Sequence, residues 1–104
     1  MRGNITELNE ENFNEFIKKG NVVVDFWAEW CSPCKIMNPI FEGAAKELKG
    51  KVKFGKVDVD GNLGLSRRFQ VMSIPTTIFF KNGEQVDRVS GVIPKEELIE
   101  RVSK

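Results

Sequence analysis

Apolar positions along the chain switch between two periods, and the switches mark the elements. Asn9-Glu10-Glu11 is an acidic, cap-forming start; Phe13, Phe16 and Ile17 then share one helical face, and Lys18-Lys19-Gly20 supplies a basic end and a C-cap. Val22-Val23-Val24-Asp25-Phe26-Trp27 is a nearly unbroken, β-branched apolar run. It is too short for a helix, and its composition predicts a central strand covered on both faces. Cys34, Met37, Phe41, Ala44, Ala45 and Leu48 return to helical spacing and stop before Gly50. Pro39 lacks a backbone donor and crowds the turn before it, which predicts a kink in this long helix.

Residues 52–59 read as a second strand whose apolar parity changes at Gly55, from Val52 and Phe54 to Val57 and Val59, which leaves an inward position open to Lys56. Residues 63–69 suit a short helix. Residues 76–80 and 85–89 flank Lys81-Asn82-Gly83-Glu84, and the Asn-Gly pair predicts a tight hairpin. Pro94 at a first helical position, Glu96 and Glu97 behind it, and then Leu98, Ile99 and Val102 make a closing helix. Strand–helix alternation requires crossovers and hence parallel pairing early in the chain, and the late hairpin adds an antiparallel edge. The expected fold class is α/β, a central mixed β-sheet flanked on both faces by helices, with residues 1–104 forming a single domain.

Composition narrows the chemistry. A chain of 104 residues can bury a core without staples but leaves no second domain to hold a cofactor, and none is expected. Sixteen basic residues against fifteen acidic ones give a net charge of +1 without a basic stripe, which argues against nucleic acid as a partner. The absence of His excludes Ser-His-Asp and Cys-His dyads, an imidazole base and any His-containing zinc site. Two Cys are too few for a four-thiolate metal centre within one chain. Apolar runs fall far short of the ~20 residues of a membrane span, and Met1-Arg2-Gly3-Asn4 leads into polar sequence in place of a signal segment. The expected location is therefore cytoplasmic, without membrane association. Thiols there are kept reduced, so two close Cys point to metal or redox chemistry in preference to a structural bridge.

Trp30-Cys31-Ser32-Pro33-Cys34 joins the predicted central strand to the long helix and puts Cys31 where the helix begins. Unpaired N–H groups and the positive end of the helix dipole stabilise an anion at that place and lower a thiol's pKa. Cys31 is accordingly the candidate nucleophile. Cys34 lies about one turn further along the same face, within reach of a disulfide and less exposed, as a resolving thiol would be. Pro33 gives up an N–H that a first turn leaves unpaired anyway and fixes the backbone of the short ring. Asp25 shares strand parity with Val23 and Trp27, and a buried carboxyl is either a satisfied structural group or a functional one. Lys56 has two readings as well, a solvated strand residue or an inward cation.

Phe26-Trp27-Ala28-Glu29-Trp30-Cys31, Pro33-Cys34-Lys35, the inward Asp25, Pro39, Lys56-Val57-Asp58, Ser73-Ile74-Pro75-Thr76, Lys81-Asn82-Gly83 and Ser90-Gly91 together, in this order, resemble the thioredoxin family over nearly the whole chain. The resemblance implies the thioredoxin fold and general protein thiol–disulfide oxidoreductase activity, with Cys31 attacking a client disulfide and Cys34 resolving the mixed disulfide. It implies that Asp25 exchanges a proton with the resolving thiol, its pKa raised by desolvation and opposed by Lys56. It also implies a cis Ile74-Pro75 bond beside the disulfide. An apolar docking surface of Trp30, Ile74, Pro75 and Gly91 follows, on which the Ile74 backbone pairs with an extended substrate. The implied partners are protein disulfides and a thioredoxin reductase or equivalent electron donor, with the chain acting as a monomer.

Ser32 stands where the family usually has Gly and, with Pro33, is placed to tune the potential, since about 30 mV corresponds to roughly 1.4 kcal/mol for two electrons. Phe69 and Met72 stand where the family often has Tyr and a basic residue. Trp27, Phe26, Phe79 and Phe80 are assigned to the core. The alternatives are a disulfide isomerase or oxidant, disfavoured by Pro33 where those relatives often carry His; a glutathione-dependent carrier; a zinc site shared by two chains; and a non-catalytic interaction subunit.

Overall fold

The sequence periods become the following elements in the computed structural model, which describes residues 4–103: β1 (Ile5–Glu7), α1 (Phe13–Ile17), β2 (Asn21–Trp27), α2 (Ser32–Glu47), β3 (Lys53–Asp58), α3 (Leu63–Arg68), β4 (Thr76–Lys81), β5 (Glu84–Ser90) and α4 (Lys95–Ser103). The Met1-Arg2-Gly3 start and Lys104 lie outside the described residues. The strands form one mixed sheet in the order β1-β3-β2-β4-β5. β1 and β2 run parallel to β3, whereas β4 is antiparallel to both β2 and β5. The predicted fold class is therefore the one observed, with β2 at the centre.

Burial of both faces explains the apolar run in β2. Val22, Val24 and Phe26 pack with Phe13 and Ile17 of α1 and Leu65 of α3, while Val23 packs on the other side with Met37, Phe41, Ala44 and Ala45 of α2 and Leu98 of α4. The apolar side chains from Val22 to Phe26 thus meet helices on alternate faces, as the two-residue strand period requires. The same alternation accounts for β3 without any break in its register. Phe54 faces α2, and Val57 joins the cluster beneath α1 and α3. Lys56 shares the parity of Phe54 and is buried. The change of apolar parity at Gly55 comes from a cation taking an inward position, and not from a bulge. Gly55 itself sits under Leu8 and Phe16, where a Cβ would collide with the Leu8 side chain.

The hairpin turns on Asn82 (φ 51°) and Gly83 (φ 90°), both in the left-handed region that a two-residue turn of this hand needs. Asn82 also ties the turn to the end of α1, its side-chain oxygen accepting from the Gly20 N–H at 2.8 Å.

Three expectations are corrected. β1 has no counterpart in the sequence reading, because three residues with one apolar side chain carry no period; pairing with β3 makes it a strand. α1 spans only Phe13–Ile17: the Asn9 side chain accepts from the N–H groups of Glu11 (2.8 Å) and Asn12 (3.0 Å), closing a turn where a helix start was expected. Trp27 is half-buried and not a full core residue, and its ring lies against the Lys56 ammonium, 4.6 Å from Nζ to the centroid.

Candidate active site

The loop leaving β2 delivers Cys31 to the N-cap of α2 in an extended conformation (φ −91°, ψ 108°), with Pro33 in the first helical turn. The N–H of Cys34 points at the Cys31 sulfur, N to Sγ 3.2 Å. Cys31 and Cys34 form a disulfide with Cα atoms 5.2 Å apart. An N–H aimed at the sulfur, added to the start of a 16-residue helix, favours a negative charge on Cys31 once the bridge opens. Residue exposure is 4% at Cys31 and 0% at Cys34, so what little of the disulfide meets solvent belongs to Cys31.

The peptide bond between Ile74 and Pro75 is cis, and the Ile74 carbonyl oxygen lies 3.8 Å from the Cys31 sulfur. A disulfide sulfur carries no proton, so this approach is a contact and not a hydrogen bond. Ile74, Val59 and Trp27 close around Ala28, Cys31 and Cys34. Gly91 (φ 90°) donates its N–H to the Pro75 oxygen at 2.8 Å, and no atom lies within 4 Å of where its Cβ would be. Trp30 is 68% exposed, and its indole N–H donates to Asp60 at 2.8 Å. An apolar groove of about 250 Å³ runs beside it, floored by Val59 and Ile74 and edged by Leu63 and Met72. Ser32 and Pro33, between the two cysteines, are exposed.

In the middle of the sheet, polar residues stand where apolar ones belong. Asp25 is fully buried, paired in register with Lys56 on β3 and Thr77 on β4. Neither carboxyl oxygen has a hydrogen-bond partner, nor does the Thr77 hydroxyl. Burial pushes the Asp25 pKa up to about 7, with the Lys56 charge pulling the other way. The solvated reading of Lys56 is therefore wrong. Its ammonium is held by the Asn38 side-chain oxygen at 2.7 Å and by the Trp27 face.

The fold thus gathers two groups. Cys31, Cys34, Trp30, Ile74, Pro75 and Gly91 surround the disulfide, and Asp25 and Lys56 lie on the sheet face that α2 covers. Asp60, Asn38 and Thr77 escaped the sequence reading. Asn38 alone left a local trace, being four residues after Cys34 and so on its side of the helix. No cluster of three or more metal-ligating side chains occurs among the described residues, and no helix there is long and apolar enough to cross a membrane.

Residues 4–104 match the family model described as Thioredoxin. The chain is 48% identical over 100 residues to thioredoxin of Staphylococcus haemolyticus and 47% identical to that of Staphylococcus saprophyticus, with 96% of each chain covered in both cases. Its structure superposes on that of Malassezia sympodialis thioredoxin with a TM-score of 0.85 at 35% identity, covering 95% of this chain and 88% of the other. A likeness this deep, carried by sequence and backbone alike around a helix-capping disulfide, places the chain in the thioredoxin family of thiol–disulfide oxidoreductases.

Proposed function

We propose that the chain is a general protein-disulfide reductase that cycles between a Cys31/Cys34 dithiol and the disulfide seen here. The Cys31 thiolate attacks one sulfur of a client disulfide; the new S–S bond joins Cys31 to the client, and the second client sulfur leaves as a thiolate. Cys34 then gives its proton to Asp25 and attacks the Cys31 sulfur. The internal disulfide closes, and the client departs with two electrons and, after protonation, two thiols. A reductase returns two electrons to the pair. The observation that carries this reading is the Cys34 N–H directed at the Cys31 sulfur at the head of α2.

Asp25 suits a proton acceptor because burial lifts its pKa to about 7, near the pH at which it must both take up and release the proton. Lys56 limits that rise. Trp30, Ile74, Pro75 and Gly91 serve as the docking surface, an extended client segment lying along the Ile74 backbone by strand addition. The open space at Gly91 supports this, since a second backbone can approach there. Ser32 and Pro33 tune the potential through the first turn of α2. The clients are protein disulfides of the cytoplasm, and the chain works as a monomer.

Trapping tests the assignment of the two sulfurs. Cys34→Ser is expected to accumulate mixed disulfides at Cys31 with cellular proteins, and Cys31→Ser to accumulate none. The reverse pattern would exchange the two roles, and no adducts with either variant would reject the reductase reading.

A further inference from the structure

One part-buried contact beside Asp25 has no role in the proposed exchange. Lys56 sits in register beside Asp25, yet neither oxygen of Asp25 accepts a hydrogen bond. The Lys56 ammonium donates to Asn38 of α2 at 2.7 Å and rests on the Trp27 ring. Asn38 lies one helical turn after Cys34, so the amide that holds this cation and the buried thiol project from the same side of α2.

We infer that Asn38 is a positioning residue for the Asp25 carboxyl: its amide oxygen holds the Lys56 ammonium on α2 and keeps it from donating to Asp25, and so determines how tightly Asp25 keeps its proton. An ammonium donating directly to a buried carboxylate favours the ionised form far more than one turned toward another acceptor. An amide can hold the cation without adding a charge, which leaves Asp25 protonatable. Lys56 from β3 and Thr77 from β4 pair in register with Asp25, Thr77 being neutral, and Cys34 comes from α2, where it is a titratable thiol only once the disulfide is reduced. The inference rests on the proposed use of Asp25 in proton transfer only for its consequence, not for the contact itself.

The test is the titration of Asp25 by carboxyl-carbon NMR in the disulfide form, where neither cysteine titrates. Asn38→Ala removes the amide acceptor that draws the ammonium toward α2 and is expected to lower the Asp25 pKa by about one unit, a tenfold loss of proton affinity. In a Lys56→Met background the same substitution is expected to change it by less than about 0.3 unit, because the cation that Asn38 steers is gone. An unchanged or raised pKa in Asn38→Ala, or an equal fall in both backgrounds, would overturn the inference. Lys56→Met alone, which should raise the pKa, supplies the reading should Asn38→Ala fail to fold: no rise would show that Lys56 does not act on Asp25 and would reject the inference. A stopped-flow pH profile of mixed-disulfide resolution keeps the two ideas apart. If the pKa falls in Asn38→Ala but the profile does not follow it, the positioning role stands and the use of Asp25 in proton transfer fails.

Discussion

At the scale of single residues, the consequences follow from where charge is forced to sit. Because burial raises the proton affinity of Asp25, folding favours its protonated form. Below pH 3.8 the native and unfolded chains are both protonated, and the contribution to stability is complete. Between pH 3.8 and about 7 the unfolded chain ionises while the native carboxyl keeps its proton, and stability is lost with rising pH. Above that range the loss is complete, a few kcal/mol at ~1.4 kcal/mol per pH unit. Asp25→Asn is therefore expected to exceed the parent in stability by about 2–4 kcal/mol at pH 8, with the difference vanishing toward pH 4, as read by denaturant unfolding of the disulfide form. A pH-independent difference would contradict the burial argument. Trp30 presents the opposite case, since its 68% exposure leaves little to lose in folding. Trp30→Ala should shift stability by no more than ~0.5 kcal/mol while lowering kcat/KM toward a protein disulfide by about tenfold. Equal losses of stability and activity would make Trp30 a packing residue.

Elements depend on a few backbone positions. Gly55 lies mid-strand in β3, where an added Cβ would press into Leu8 and Phe16, both held against the core by α1 and the segment before it. Gly55→Ala is expected to cost about 1–3 kcal/mol, seen as a lower urea midpoint with the same slope. Asn82 holds φ 51° in the hairpin and accepts from Gly20 at 2.8 Å. Replacing it by Ala removes an acceptor and leaves a side chain poorly suited to the left-handed region, a loss of about 1–2 kcal/mol. Asn82→Gly keeps the backbone freedom and should lose less. Equal losses from the two would assign the whole effect to the hydrogen bond. The short form of α1 was not legible beforehand because Asn9 makes the same N–H contacts in a turn that it would make as a helix cap.

For the whole molecule, the order of the strands sets the order of stability. β2 is flanked by β3 and β4 and is buried from Val22 to Phe26, whereas β1 is a three-residue edge with no buried side chain. Amides of β2 should exchange with deuterium only by global unfolding, and those of β1 by local opening many times faster. Protection of β1 equal to that of β2 would show that the edge and the centre open as one unit. The chemistry uses this contrast. The buried central strand carries Asp25, and the loop leaving it delivers Cys31 to the N-cap of α2, so in the proposed exchange the proton acceptor and the attacking sulfur are both anchored to the most protected strand.

Patterns within one element were legible in the residues themselves. The apolar run of β2, the Asn-Gly turn, the Pro94 start of α4 and the helix-opening Cys31-Ser32-Pro33-Cys34 each encode their structure in neighbours a few positions apart. Local geometry repeats with a known period, and side chains at that period meet whatever the rest of the chain does. Contacts between elements were not legible, because they depend on strand register and helix placement. β1 exists only through β3, Asp60 meets Trp30 across 30 positions, Asn38 meets Lys56 across 18, and Thr77 faces Asp25 only because β4 pairs with β2. The sequence by itself determined which two sulfurs lie within reach of each other at a helix start and which strand is central. The tertiary structure decided which neutral groups surround the buried charges, since burial and partner choice arise only when separate elements pack.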